Sequence, residues 1–254
     1  SKITKAKKEL ERNKNLFEKE IISKKEYSDL QYNLTQLEKE KSIFESNKIA
    51  QWKADLEKYT TSVSDFNKQI AEIEKQQQEI TDSIQYASRI QEAILPGEEI
   101  LTSSGVDTFV LNMPREIVSG DYHWFAENGN SFIAAAADCT GHGVPGAFLS
   151  MLGITQLNEI VLNKNILQAD EILNQLREQV ITSLHQQGKQ RESQDGMDIA
   201  LCVIDRNNLT LQFAGANNPL YIIRDDELFQ VKGDKMPISI YGKKTSRPFT
   251  NNEI

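Results

Sequence analysis

Two short segments place carboxylates where chemistry is possible. One is Ile117-Val118-Ser119-Gly120-Asp121-Tyr122-His123-Trp124, the other runs from Phe132 through Ala134–Ala137 to Asp138-Cys139-Thr140-Gly141-His142-Gly143-Val144-Pro145-Gly146. Asp138 closes a run of small apolar residues that reads as a buried strand. A glycine-rich turn follows, then a helix with Pro145 near its start. A carboxylate at a strand end, beside pliant backbone, suits a hard divalent cation that takes oxygen ligands. The same pattern is also that of a strand-to-helix turn with an aspartate as cap. His142 has two readings of its own: a proton donor to a leaving group, or a residue that orders the turn or faces solvent.

The elements that must position these residues lie downstream of residue 107. Strands are expected at 107–113, 131–137, 199–205, 209–214, 219–224 and 227–232, separated by turn signals such as Glu-Asn-Gly-Asn and Asp-Arg-Asn-Asn. Two helices, at 145–163 and 169–187, fall between the second and third strands. Tight turns between successive strands imply antiparallel pairing, so the fold class is α+β rather than a doubly wound sheet.

Up to residue 82 the chain has a different character. It is rich in Lys, Glu, Gln and Asn, and all 13 Gly and 6 Pro lie from Pro96 onward. Apolar residues recur in alternating steps of three and four. They give a heptad seam with Ile49, Leu56, Val63, Ile70, Gln77, Ile84 and Gln91 at a, and Trp52, Tyr59, Phe66, Ile73, Ile80, Ala87 and Ile94 at d. At about 1.5 Å per residue the seam is roughly 70 Å long. Such a stripe needs a partner, and a parallel homodimer is the leading expectation. Gln77 and Gln91 at a positions weaken the seam and set its register. An intramolecular hairpin is the alternative: Tyr27, Leu30, Leu34, Leu37 and Phe44 form an earlier stripe one residue out of phase, and Ser23 with Glu26 makes a capping box that starts a helix near Lys24. Ile90 and Leu95, off the seam, give the last turns of the long helix a second apolar face that would pack on the following domain.

The formal net charge of −8 disfavours nucleic acid as a partner. Cys139 and Cys202 are the only cysteines, both in apolar surroundings, which fits a reducing compartment. No apolar run approaches the ~20 residues of a membrane span, and no secretion signal is present.

The segments DSIQYASRIQEAILP (82–96), PREIVSGDYHW (114–124), ADCTGHGVPGAFLSMLG (137–153), DGMDIALCVID (195–205), FAGANNPLYIIR (213–224) and KGDKMPI (232–238) follow one another as they do in SpoIIE-type phosphatases. These are bacterial members of the metal-dependent, protein phosphatase 2C-like serine/threonine phosphatase family. The resemblance implies an αββα sandwich, incomplete here, over a domain at 83–254 preceded by a coiled-coil or hairpin region at 1–82. It implies two Mn²⁺ or Mg²⁺ ions, with Asp138 bridging them, the Cys139 carbonyl on one and Asp121 on the other, directly or through water. It implies a phosphorylated protein as substrate, an anti-sigma-factor antagonist in related systems, and work in the cytoplasm. His123 takes no catalytic role, and Asp195 and Asp198 are read as structural or supporting. The family's later metal carboxylates have no counterpart before Ile254, so the chain is expected to be a C-terminally truncated fragment of weak or no activity. A catalytically silent dimerisation module is the alternative.

A second, smaller resemblance concerns residues 9–30. They are similar to the α-helical hairpin tip of membrane-fusion (HlyD-like) adaptor proteins, in which an Arg, a Leu and a Ser at spacings of four and seven contact an outer-membrane channel. Arg12, Leu16 and Ser23 match that spacing. The two resemblances imply different compartments.

Overall fold

A computed structural model describes residues 1–97, 105–187, 195–240 and 247–254. It divides into two units, Ser1–Gln77 and Gln78–Ile254.

The first unit is a helical hairpin. Helix α1 spans Lys2–Glu18, begun by Ser1, whose hydroxyl accepts from the Thr4 amide. The chain leaves it through Glu20 in the left-handed region (φ 54°). Helix α2 spans Lys24–Ile94 and continues into the second unit. Its start is the expected capping box: Ser23 Oγ accepts from the Glu26 amide at 3.2 Å, and Glu26 Oε2 accepts from the Ser23 amide at 2.8 Å. The Ser23 amide and then the Ser23 hydroxyl, both donating to Oε2, hold the Glu26 carboxyl below its usual range. Half-buried Ile3, Ala6, Leu10, Leu16 and Phe17 share a face of α1, as Tyr27, Leu30, Leu34 and Leu37 do on α2. Phe17 stacks on Tyr27 at 4.9 Å, and Lys7 pairs with Glu38 at 2.8 Å. The hairpin therefore forms on the earlier stripe. At 17 residues α1 is too short to reach the later one, and Ile49, Trp52, Leu56, Tyr59, Val63, Phe66, Ile70 and Ile73 remain exposed. Leu16 and Ser23 have structural duties here, in the hairpin face and the cap, and Arg12 is exposed. No described helix is long and apolar enough to cross a membrane.

The second unit is built on a five-stranded antiparallel sheet. Strands β1 (Tyr122–Asn128), β2 (Ser131–Cys139), β3 (Met197–Asp205), β4 (Thr210–Ala216) and β7 (Asn252–Glu253) lie in that order. Strands β5 (Leu220–Arg224) and β6 (Glu227–Val231) form a separate two-stranded ladder. Helix α3 (Gly143–Asn158), a π-helical turn at Glu159–Asn163 and helix α4 (Ala169–Ser183) supply the helical layer. Alternate residues of the strands (Tyr122, Trp124, Ala126; Ile133, Ala135, Ala137; Met197, Ile199, Leu201, Val203) join Ile154, Leu157, Ile160, Ile172, Leu173 and Leu176 in one core. The fold is α+β, and the described residues hold one helix layer, one five-stranded sheet and the ladder.

Two expectations need correction. Residues 107–113 carry the β-forming apolar run Phe109-Val110-Leu111, yet they pair with none of the described strands, and Phe109 is 91% exposed; without a ladder partner, a strand-like composition alone does not make a strand. Conversely, Tyr122–Asn128, read only as the flank of a motif, is strand β1. It joins β2 through a two-residue turn in which Gly129 takes φ 59°. The expected helix at 169–187 ends at Ser183, and the one at 145–163 closes in the π turn.

Candidate active site

The β1–β2 register decides where the carboxylates go. Tyr122 pairs with Ala137, so one step further Asp121 stands opposite Asp138, at the end where both strands meet the glycine-rich turns. Asp138 is held above the usual carboxylate range, first by desolvation, then by the side chain and charge of Asp121. On its other side Asp138 is in register with Asp198 of β3, which accepts from Asn217 Nδ2 at 2.8 Å. Asp195 is half-buried, and its carbonyl accepts from Gln186 Nε2. Asp198 thus neighbours the pair, while Asp195 serves the backbone.

Glycine brings the two acid-bearing loops together. A Cβ on Gly120 would lie 2.9 Å from the Gly141 carbonyl oxygen, and one on Gly146 would lie 2.6 Å from the same oxygen and 2.9 Å from Gly120 Cα. Both neighbours are backbone and cannot swing aside, so only hydrogen fits. Gly141 itself takes φ 87°, a left-handed conformation that favours glycine. Glu116 adds a side-chain tie across the loops, its Oε1 2.6 Å from His142 Nδ1. The His142 ring is otherwise exposed, as the solvent-facing reading expected. Thr140 anchors the far end of the turn: its amide donates to the Gly196 carbonyl at 2.9 Å.

Cys139 is buried, and its thiol is pushed up to about 12, chiefly by burial and then by the charges of Asp138 and Asp121. It stays protonated at neutral pH, so what Cys139 offers a hard cation is its carbonyl. Burial lowers His123 and keeps that imidazole neutral. Two carboxyls forced into contact, with a carbonyl in the same turn, form an oxygen donor set in which a divalent cation would relieve the repulsion. They would make only part of a coordination shell: among the described residues no cluster of three or more His, Cys, Asp or Glu is placed to hold an ion.

The sequence signals missed Glu116 and Gln91. Gln91 is the one buried residue of α2, and it reaches the same loop: its Nε2 donates to the Ser119 carbonyl at 2.6 Å, and its Oε1 accepts from the Ser119 amide at 3.0 Å. The expected seam position therefore faces the domain. Ile94 and Leu95 pack against the core beside it, whereas Ile90, expected inward, is 41% exposed.

The sheet with its helical layer is the fold of a phosphatase domain of the PP2C type. The SiaA-PP2C domain of Pseudomonas aeruginosa matches it at 30% identity with a TM-score of 0.61, over 70% of this chain and 68% of that one. Residues 128–254 match the family Stage II sporulation protein E (SpoIIE), and the chain belongs to that family. Phosphoserine phosphatase RsbU of Bacillus subtilis (strain 168) is 34% identical over 77 residues, which are 30% of this chain and 23% of RsbU. The match thus spans less than a quarter of that relative. The SpoIIE PP2C domain of Bacillus subtilis, with a fragment of its regulatory domain, aligns at 20% identity and a TM-score of 0.43, over 54% of this chain and 38% of that one. PP2C-family phosphatases use divalent metals.

Proposed function

We propose that residues 83–254 form a metal-dependent phosphoserine/phosphothreonine protein phosphatase domain of bacterial signalling, regulated through the helical region at 1–82. The observation that carries this reading is the acid pair, Asp121 opposite Asp138 at one end of the β1–β2 hairpin. In this reading Asp121, Asp138 and the Cys139 carbonyl would hold Mn²⁺ or Mg²⁺. A bound metal would supply Lewis acidity and charge neutralisation at phosphorus. The chain's own part is positional. Gly120 and Gly146 let the two loops touch, Glu116 and His142 tie them, and the buried Cys139 thiol stays neutral. The substrate class is a phosphorylated protein, of the anti-sigma-factor-antagonist kind by family resemblance, and the compartment is the cytoplasm. RsbU, by its name a phosphoserine phosphatase, supports the reaction class. The exposed seam of α2 supports a homodimer.

A catalytically silent dimerisation module is the second reading. It is favoured by the small number of carboxylates that converge among the described residues. The test compares wild type with Asp138→Asn. Mn²⁺ binding is read from the electron paramagnetic resonance of the free ion, and turnover from Mn²⁺-dependent hydrolysis of a phosphoserine peptide. Weak binding and slow hydrolysis are expected in the wild type, because these donors suffice for one ion, and both should vanish in the variant. Binding and hydrolysis that survive Asp138→Asn refute this site. Binding without hydrolysis in the wild type favours the silent module.

A further inference from the structure

The most complete polar contact between α2 and the catalytic loops is made by a residue that the heptad pattern assigns to a helix–helix seam. Gln91 is 7% exposed. Both of its amide donors and its oxygen are engaged: Nε2 donates to the Ser119 carbonyl at 2.6 Å and to Ser150 Oγ at 2.7 Å, and Oε1 accepts from the Ser119 amide at 3.0 Å. It therefore grips both backbone groups of Ser119, as a neighbouring β-strand would. Ser119 in turn accepts the Asp121 amide on its hydroxyl at 3.0 Å. Ser150 belongs to α3, the helix that begins after the Asp138 turn, and its hydroxyl has the Ala147 carbonyl at 2.9 Å and, more distantly, the Ser119 carbonyl at 3.3 Å as acceptors. One side chain thus joins α2 to the loop before Asp121 and to the helix after Asp138.

The chemistry of that grip is specific. An apolar side chain would leave the half-buried Ser119 amide unpaired and its carbonyl with only the 3.3 Å bond from Ser150 Oγ, a cost comparable to that of a lost hydrogen bond. A carboxylate could take the Ser119 amide but would face the carbonyl without a donor. Among side chains of this length only a glutamine offers an acceptor and two donors in one plane. Beside it lies a cavity of about 70 Å³ lined by Gln91, Leu95, Ile117, Ser119, Asp121 and Tyr122, among others, so the loop has room to shift if the grip is lost.

We propose that Gln91 is a positioning residue: from the end of α2 it fixes the Ser119–Asp121 backbone and so sets where the Asp121 carboxylate stands relative to Asp138. What the carboxylate is held for rests on the metal reading above; that the loop is held does not.

Hydrogen–deuterium exchange on the full chain tests the grip. Gln91→Met keeps the length and the helix former but removes all three bonds. Exchange across 119–122 should accelerate about tenfold, while amides in the centres of β2 and β3 keep wild-type protection. Ser150→Ala removes only the longer 3.3 Å bond from Ser150 Oγ to the Ser119 carbonyl and leaves both Gln91–Ser119 bonds intact, so it should accelerate this segment far less than Gln91→Met. Wild-type protection of 119–122 in Gln91→Met overturns the proposal. So does acceleration spread evenly through β2 and β3, which a merely structural role would give. Gln91→Glu keeps the acceptor and loses the donors, so it too must accelerate the segment, and it decides the matter if the Met variant does not fold. Free-Mn²⁺ paramagnetic resonance on the same proteins separates the two readings. Faster loop exchange together with weaker Mn²⁺ binding supports both. Faster loop exchange with no Mn²⁺ bound even by wild type refutes the metal reading and leaves the positioning role standing.

Discussion

Replacing Ile70 and Ile73 by Asp should convert a dimer of this protein into a monomer. Both side chains sit on the stripe that α1 does not reach, and they are 52% and 55% exposed in the single chain. Fully burying an isoleucine is worth about 1.5–3 kcal/mol, so the half still exposed is worth about 0.8–1.5 kcal/mol on docking. In a symmetric dimer four such side chains meet, which makes about 3–6 kcal/mol. At 1.4 kcal/mol per decade, losing that contribution weakens association by about two to four orders of magnitude. Four carboxylates brought together at the seam add repulsion, so this figure is a lower bound. Sedimentation equilibrium of the full chain at increasing concentration reads the outcome directly. The wild type should be dimeric at micromolar concentration and the double variant monomeric a hundredfold higher. Circular dichroism must show α2 still helical in the variant, since Asp is a poorer helix former. A wild type that remains monomeric at high micromolar concentration refutes the reasoning, as does a double variant that dimerises as tightly as its parent.

Two further outcomes follow from the packing of the second unit. Gly146→Ala would ordinarily favour a helix by about 1 kcal/mol, but the added methyl meets the Gly141 carbonyl oxygen at 2.6 Å. Overpacking of about 1–3 kcal/mol should win, lowering Tm by several degrees and loosening the turn after Asp138; a raised Tm in differential scanning calorimetry refutes it. Burial pushes the Cys202 thiol up to about 11. At pH 8 about one molecule in a thousand carries the thiolate, so Cys202 in the folded protein should react with a disulfide reagent far more slowly than in urea, and faster as pH rises toward 11. Equal rates folded and unfolded would show that the site is open.

Much of the second unit was legible because its signals are local. The Ala-rich run before Asp138, the Asp-Arg-Asn-Asn turn between β3 and β4, and the apolar periods of α3 and α4 each state their own conformation. Ser23 and Glu26 likewise announced the start of α2, three residues apart. What failed depended on partners distant in sequence. Residues 107–113 carry an apolar run, Phe109 to Leu111, as β1 does at Trp124–Ala126, but a strand exists only where a neighbour completes its ladder. The pairing of Asp121 with Asp138 was within reach. Once the turn at Gly129-Asn130 is taken as a two-residue hairpin, counting back along both strands sets these aspartates face to face. Treating 117–124 as a motif rather than the start of a strand hid that count. Gln91 could not have been read locally at all, since its partners lie 28 and 59 residues away. The heptad period shows which side of a helix is turned inward, not what covers it.

That distinction separates two residues which look alike in the repeat. Gln77 and Gln91 both occupy a positions, and both would weaken a helix–helix seam by placing an amide among apolar side chains. From Ile49 to Ile73 the a and d residues are large and exposed, the state of a stripe made for another helix. From Ile84 to Ile94 the same positions become half-buried or buried within the second unit, and the set includes Ala87 and Gln91. A helix–helix seam selects large apolar side chains at every a and d, whereas a surface that presents backbone groups selects an amide where those groups lie. The change of residue type along α2 therefore marks a change of partner, from the expected second copy to the chain's own Asp121 loop. The polar a residue at the domain end is an intramolecular contact, and any role in setting dimer register falls to Gln77.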